Sequence, residues 1–157
     1  MDCQGCGLCP EATQTVVLRV GPGGGLIHRA FDEAGIDRNE LVVTNAVEHS
    51  KWAPSGSRRL HRTPSARERG ACRPWLLSEI HAVAPALMVG LGATACQSLL
   101  GCGFRLSLHR HKIVKEPGGL PVVAPIQPFA VLRMTGAEQS HAFDGLVEDL
   151  PIASAAV

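Results

Sequence analysis

Ala86-Leu87-Met88-Val89-Gly90-Leu91-Gly92-Ala93-Thr94 reads as a short apolar strand that runs into a glycine turn and opens a helix reaching Leu100. A strand that ends in glycine and starts a helix is the repeating unit of a sheet whose strands alternate with helices. The rest of the chain keeps that alternation. Thr13 to Val20 is rich in β-branched residues and predicts a strand. Gly21-Pro22-Gly23-Gly24-Gly25 breaks it, and Leu26, Ile27, Ala30, Phe31 and Ala34 then recur at helical spacing up to a stop at Gly35. Leu41 to Val47 predicts a second strand, apolar enough to be buried on both faces. Glu48 to about Pro64 is polar and reads as a segment without regular structure. Ser65-x-x-Glu68 is a capping box that opens a helix to about Val83, with Pro74 kinking it. Lys112 to Val114 and Val122 to Ala124 predict short strands, and Ala137 to Leu150 a final amphipathic helix. The expected fold is α/β, a small parallel sheet covered by helices on both faces. In such sheets ligands bind beyond the C-terminal ends of the strands. Asn45, Gly92 and Gln127 fall at or just after strand ends and are expected to line one cleft.

The chain has 157 residues, 45% of them hydrophobic, which suits one domain with a real core. It is read as a single domain over 1–157, with a cysteine-rich start over 1–12 and a basic loop over 48–64. No apolar run reaches the length of a membrane span. The start lacks a charged residue cluster followed by an apolar run, so the expected location is the cytoplasm. Cysteines there are more often ligands or reactive thiols than disulfides. The net charge is only +1, but its distribution is uneven. Lys51, Arg58, Arg59, Arg62, Arg67, Arg69 and Arg73 stand against Glu68 alone, a local net charge of +6. A cationic stripe on a near-neutral chain fits contact with phosphates, and it also fits a solvated helix face beside an ordinary loop.

Cys3-x-x-Cys6 places two thiolates close enough to grip one metal ion or one cluster edge. Two more ligands are needed. Cys72 is one candidate, and His49 is the other, because imidazole can replace thiolate on iron. Three cysteines and a histidine suit a [4Fe–4S] cluster, or a zinc ion. Cys9 is spare in this reading, Cys96 is a buried core residue, and Cys102 is a weaker ligand candidate.

These pieces, taken in order, resemble the iron–sulfur (family 4-like) uracil-DNA glycosylases, most closely the UdgX branch. Cys3-Gln4-Gly5-Cys6-Gly7-Leu8 resembles the N-terminal cysteine pair. Gly21-Pro22-Gly23-Gly24 and the following helix resemble the glycine turn and first helix, which places Gly21 and Gly23 beside the substrate. Val43-Thr44-Asn45-Ala46-Val47-Glu48-His49 resembles the strand that ends in a base-reading asparagine and a cluster histidine. Ser57-Arg58-Arg59-Leu60-His61 resembles the basic insertion of that branch. Ala71 to Leu76 carries the last cluster cysteine, and Leu91-Gly92-Ala93-Thr94-Ala95 the third strand–helix turn. The resemblance spans Cys3 to Leu150. It implies a three-layer glycosylase fold, a [4Fe–4S] cluster on Cys3, Cys6, His49 and Cys72, and a monomer that acts on single-stranded, uracil-containing DNA.

The chain departs from the pattern twice. Thr15 to Val20 runs almost directly into Gly21-Pro22, so the family's acidic Gly-Glu-x-Pro-Gly loop is missing and an inner strand is lost or replaced; Arg19 stands where a stacking aromatic is expected. The His-Pro-Ser turn reads as Gln127-Pro128-Phe129. The reaction requires extruding the base, reading its edge and stabilising the departing anion. Asn45 can accept from uracil N3–H and donate to O4. Gln127 can donate to a uracil oxygen, and Phe129 can stack on the base. Arg58, Arg59 and Arg62 can clamp flanking phosphates. His61, as neutral imidazole, can capture the sugar C1′ and leave a covalent adduct. The alternative is a degenerate iron–sulfur protein that binds single-stranded or uracil-containing DNA without cleaving it.

Overall fold

The computed structural model describes residues 22–49 and 51–154. The strand expected over Thr13 to Val20 lies outside them. The described residues fall into two compact units, one holding 43–49 and 51–83, the other 22–42 and 84–154.

The second unit is built on a three-stranded sheet. Helix α1 (Pro22–Glu33) begins at a proline, where the missing N–H costs nothing. Ile27, Ala30 and Phe31 form its buried stripe. It ends as the sequence predicts: Gly35 takes φ +68°, its N–H bonds the Asp32 carbonyl, and the Ile36 N–H reaches back to the Phe31 carbonyl at 2.9 Å. That pair of bonds is a Schellman cap, which needs a residue that tolerates the left-handed region. Strand β3 (Met88–Val89) leads through Gly92 into α3 (Ala93–Leu100). A short helix α4 (Leu106–His109) precedes β4 (Ile113–Lys115) and β5 (Pro121–Val123). Helices α5 (Pro128–Val131) and α6 (Gly136–Ser154) close the unit.

Strand β5 is central. It pairs in parallel with β3, Met88 opposite Val122 and Val89 opposite Val123. It pairs antiparallel with β4, Ile113 opposite Val123 and Lys115 opposite Pro121. The expectation of an all-parallel sheet therefore fails at β4. The reason is local: Glu116 to Leu120 is too short for a crossover, and Gly119 at φ +93° closes a tight turn whose N–H bonds the Glu116 carbonyl at 2.8 Å. Cys96 on α3, Phe104 and Ala124 form a buried cluster, with Leu100, Leu106 and Val114 packed on it. Helix α6 packs on β3, β5, α1 and α5 and buries Leu146 and Leu150 completely. Burying each such leucine contributes about 1.5–3 kcal/mol. The mixed α/β architecture is that of the expected fold class.

The first unit holds a hairpin and a long helix. Strand β1 (Trp52–Ser55) pairs with β2 (Arg58–His61), Trp52 opposite His61 and Ser55 opposite Arg58. This corrects the reading of 48–64 as structureless. Gly56-Ser57 is a two-residue loop with φ +59° at Gly56, the left-handed first position that tight hairpins favour. Pro54, which has no N–H to donate, is tolerated because a two-stranded ribbon is all edge. Helix α2 (Ala66–Val83) opens on the predicted capping box: Ser65 N–H donates to Glu68 Oε2 at 2.6 Å, and Glu68 N–H to Ser65 Oγ at 3.3 Å. It continues through Pro74. The second strand expected over Leu41 to Val47 is not formed. Those residues are irregular, no strand pairs with them among the described residues, and Val42 is 69% exposed. An apolar run suits a strand by its side chains, but a strand also needs a ladder partner.

Candidate active site

Two strand exits in the second unit run side by side. The Gly90 N–H donates to the Val123 carbonyl at 2.8 Å, and the Gly92 N–H to the Pro125 carbonyl at 3.1 Å. The parallel pairing of β3 with β5 thus carries past both strands and brings the two following turns together. Gly92 takes φ +85° and ψ 175°, a conformation essentially reserved for glycine. A Cβ there would lie 2.7 Å from the Cβ of Gln127, so the Gln127 side chain starts directly on the Gly92 backbone. Gln127 is exposed and precedes α5, whose first residue is Pro128, and it makes no capping bond with its side chain. Its amide is left open to a ligand. Phe129 follows, 49% exposed, with its ring against α1: a Cβ at Gly23 would lie 2.5 Å from Phe129 Cε2. Gly23, Gly92, Gln127 and Phe129 therefore form one corner at the C-terminal ends of β3 and β5, where a ligand is expected in such a sheet. Gly92 and Gln127, expected at strand ends, lie side by side, whereas Asn45, expected with them, follows no strand because 41–47 forms none. The sequence reading did not foresee that Phe129 rests on Gly23.

Cys96 closes the floor behind this turn. Its Sγ donates to the Gly90 carbonyl at 3.0 Å, and burial pushes the thiol pKa up to about 12. It is core, as expected, and no thiolate ligand.

In the first unit, Asn45 lies half-buried in the irregular segment before His49. The hydroxyl of Thr44 beside it donates to Glu79 on α2. Burial, and then the like charge of Glu79, push the Glu48 carboxyl up, while His49 opposes. His61 is exposed at the end of β2, and Arg62 is exposed just past it. Arg58 and Arg59 occupy β2 opposite Ser55 and Pro54. Not all of the basic stripe is available to a ligand. Lys51 pairs with Glu68 at 2.9 Å, and Arg69 Nη1 donates to the Pro64 carbonyl at 2.8 Å. Both hold the junction of hairpin and helix.

Of the proposed cluster ligands, Cys3 and Cys6 lie outside the described residues, as do Gly21 and the spare Cys9. Among the described residues no group of three or more His, Cys, Asp or Glu is placed to hold a metal. His49 and Cys72 still fit the role individually. Both are buried, at 9% and 2% exposure, and His49 Nδ1 has no hydrogen-bond partner among the described residues. A buried imidazole nitrogen without a partner is costly unless something binds it. Thiolate with imidazole suits an iron–sulfur cluster or zinc.

One further cluster escaped the sequence reading. Asp149 of α6 is fully buried, and His111 Nδ1 lies 2.8 Å from its Oδ1. The signal was present: Asp149 falls on the stripe of Leu146 and Leu150, where a carboxylate is out of place.

The second unit thus presents an exposed amide and a half-exposed aromatic at its strand exits, and comparison with known proteins identifies the class. The chain belongs to the uracil DNA glycosylase superfamily, whose family model matches residues 9–151. Among individual proteins it is 31% identical over 115 residues to the type-4 uracil-DNA glycosylase of Thermotoga maritima, covering 73% of this chain and 56% of that protein. It is also 31% identical over 96 residues to the type-4 uracil-DNA glycosylase of Pyrobaculum aerophilum, covering 60% and 45%. The chain spans about half the length of the curated relatives it matches.

Proposed function

We propose that this protein recognises uracil in DNA, cleaves its N-glycosidic bond, and captures the sugar through His61 in the manner of the UdgX branch. The observation that carries the reading is the corner of Gly23, Gly92, Gln127 and Phe129, together with membership of the superfamily. Phe129 offers an aromatic face where the family's stacking residue is missing. Gln127 donates to a uracil oxygen, in the place of the motif's histidine. Losing one such donor altogether costs roughly 10²–10³ in rate. Asn45 reads the uracil edge by accepting from N3–H and donating to O4; cytosine presents the opposite pattern. Arg58, Arg59 and Arg62 take flanking phosphates.

The chemistry balances without a further reactant. The C1′–N1 bond breaks and its electron pair leaves with uracil. A lone pair of neutral His61 forms the new bond to C1′, giving an alkylated imidazolium. The ring N–H is then lost, and uracil takes up one proton. Attack by water at C1′ instead gives free uracil and an abasic site.

A [4Fe–4S] cluster would be held by Cys3, Cys6, His49 and Cys72, with zinc as the other metal that suits this set. When bound it supplies metal–thiolate and metal–imidazole bonds that tie its ligands together.

The test is a denaturing gel of end-labelled, uracil-containing single-stranded DNA after incubation with the protein. His61→Ala and thymine-containing DNA serve as controls. The expected result is a retarded band that needs both uracil and His61. Strand breaks after alkali, without a retarded band, would leave a hydrolytic glycosylase. Neither product, from folded and metal-loaded protein, would overturn the enzyme reading and leave a DNA-binding protein.

A further inference from the structure

We propose that His111 and Asp149, with Arg110 beside them, form a proton-dependent latch that fastens the turn between α4 and β4 onto α6. The inference rests on the fold alone and stands apart from the glycosylase reading. Three observations converge on it. His111 takes φ +59°, a left-handed backbone that a side-chain-bearing residue adopts when its surroundings hold it there. Its Nδ1 lies 2.8 Å from Oδ1 of Asp149, which is fully buried. Nδ1 and Oδ1 are within ion-pair distance, and the contact is an ion pair when the ring carries a proton. Gly145, one turn earlier on α6, makes room for it. A Cβ at Gly145 would lie 3.2 Å from Arg110 Nη2 and 3.7 Å from His111 Cε1. Both side chains of the turn therefore pass close over Gly145, and the His111 ring reaches the carboxylate.

The charges around the pair are few. Arg110 and His111 come from the turn. Helix α1 brings His28 and Asp32, both exposed, and Arg29, which lies over the Phe143 ring and pairs with Glu33. Helix α5 and strands β3 and β5 carry no titratable side chain. On α6 itself Asp144 and Glu148 are exposed. With a proton on its ring, His111 is the cation that faces a buried carboxylate. Without it, Asp149 keeps its burial and loses that counter-charge, which is the expensive arrangement for a buried ion. The Arg110 charge stays nearby, so opening is confined to the turn rather than to the whole unit. The turn runs directly into β4, the antiparallel neighbour of β5.

The test is amide hydrogen exchange of Arg110 to Ile113, read by NMR on the full chain between about pH 5 and about pH 8, the range in which histidine changes charge. Rates are corrected for the intrinsic pH dependence of exchange. The expected result is protection that falls several-fold as pH rises across this range. His111→Asn keeps a residue suited to the left-handed backbone and removes the titration. Its protection is expected to be flat with pH, and so is that of Asp149→Asn. His109 stacks on Phe104 close by and is the other histidine of this stretch. A pH dependence that survives in His111→Asn would therefore overturn the latch, and so would flat protection in the native protein. Should Asp149→Asn fail to fold, the His111→Asn comparison decides alone.

Discussion

The ring of Phe129 rests on the backbone of Gly23, close enough that a methyl group at Gly23 would overlap three ring carbons at 2.5–2.8 Å. Two opposing effects decide what Gly23→Ala does. Alanine favours the helix by about 0.8–1.0 kcal/mol over glycine. Overpacking against the ring costs about 1–3 kcal/mol. The clash wins, so Gly23→Ala is expected to destabilise the native protein by about 1–2 kcal/mol and to displace Phe129. In a Phe129→Ala background the clash is gone, and the same substitution should stabilise by up to ~1 kcal/mol. Urea denaturation of the four proteins of this cycle checks the sign change. Equal effects of Gly23→Ala in both backgrounds would show that the ring does not depend on the glycine.

Gly92→Ala combines two penalties, because its backbone lies in a glycine-only region and its Cβ would meet Gln127. The backbone strain costs about 1–3 kcal/mol. Loss of stability of about 2–4 kcal/mol is expected once the clash is added. Gln127→Gly relieves the contact and not the strain. Of the two, Gly92→Ala should therefore remain destabilising in the Gln127→Gly background. Thermal unfolding of the single and double variants separates the terms.

The parts of this fold that were legible in the sequence are those set by short-range chemistry. The start of α2 at Ser65 and Glu68, the stop of α1 at Gly35 and the entry into α3 after Gly92 each depend on residues within a few positions. The misreadings all involve long-range partners. Leu41 to Val47 has strand-like side chains, but nothing in its own residues says whether a neighbouring strand will pair with it. The hairpin of Trp52 to His61 lacks clean alternation, and only Gly56-Ser57 marked its turn. The alternation of strands and helices predicts parallel neighbours, and β4 runs antiparallel because Glu116 to Leu120 is too short for a crossover. The site divides similarly. Gly92 and Gln127 were placed together because strand exits converge, whereas the contact of Phe129 with Gly23 depends on how α5 packs on α1.

Ser65 and Glu68 satisfy each other's backbone N–H groups, and Lys51 joins them through Glu68. The bond from the Ser65 N–H, followed by the Lys51 contact, holds the Glu68 carboxyl below its ordinary range, while burial opposes. A depressed carboxyl contributes stability that is present above its unfolded value of 4.5 and is lost as pH falls through the lower folded value. Ser65→Ala is expected to cost about 1 kcal/mol at neutral pH. Glu68→Gln should cost less and flatten the acid limb of the stability profile. Urea midpoints measured from neutral to acid pH check both. An unchanged acid limb in Glu68→Gln would remove this carboxylate from the account.

His49 and Cys72 are both buried, and His49 carries a ring nitrogen without a hydrogen-bond partner among the described residues. If they hold a metal centre together with Cys3 and Cys6, Cys72→Ser and His49→Ala should each lower the bound metal per chain. Chelation should destabilise the native protein, because metal binding is coupled to folding. His81→Ala is the control, an exposed histidine on the same helix. Elemental analysis and labile-sulfide assay distinguish iron–sulfur from zinc. Full metal content in both ligand variants would exclude these two residues from the centre.

Asp149 supplies a pH prediction of opposite sign to that of Glu68. Burial raises its carboxyl above the ordinary value of 3.8, and the His111 and Arg110 charges only partly oppose. For a carboxyl raised by folding, the folded state binds the proton more tightly than the unfolded chain. Its favourable contribution is therefore present at low pH and is lost as pH rises through the folded value. Asp149→Asn removes that loss and keeps the shape. The variant should gain stability relative to the native protein as pH rises from about 4 towards neutrality. His111→Asn removes the cation that faces the carboxylate when the ring is protonated, so it should be more destabilising at mildly acid pH than at neutral pH. Paired urea titrations at acid and neutral pH measure both differences. If Asp149→Asn instead lost stability steadily with rising pH, the ionised carboxylate would be a net stabilising partner of His111 and Arg110, and burial would not be the dominant influence on it.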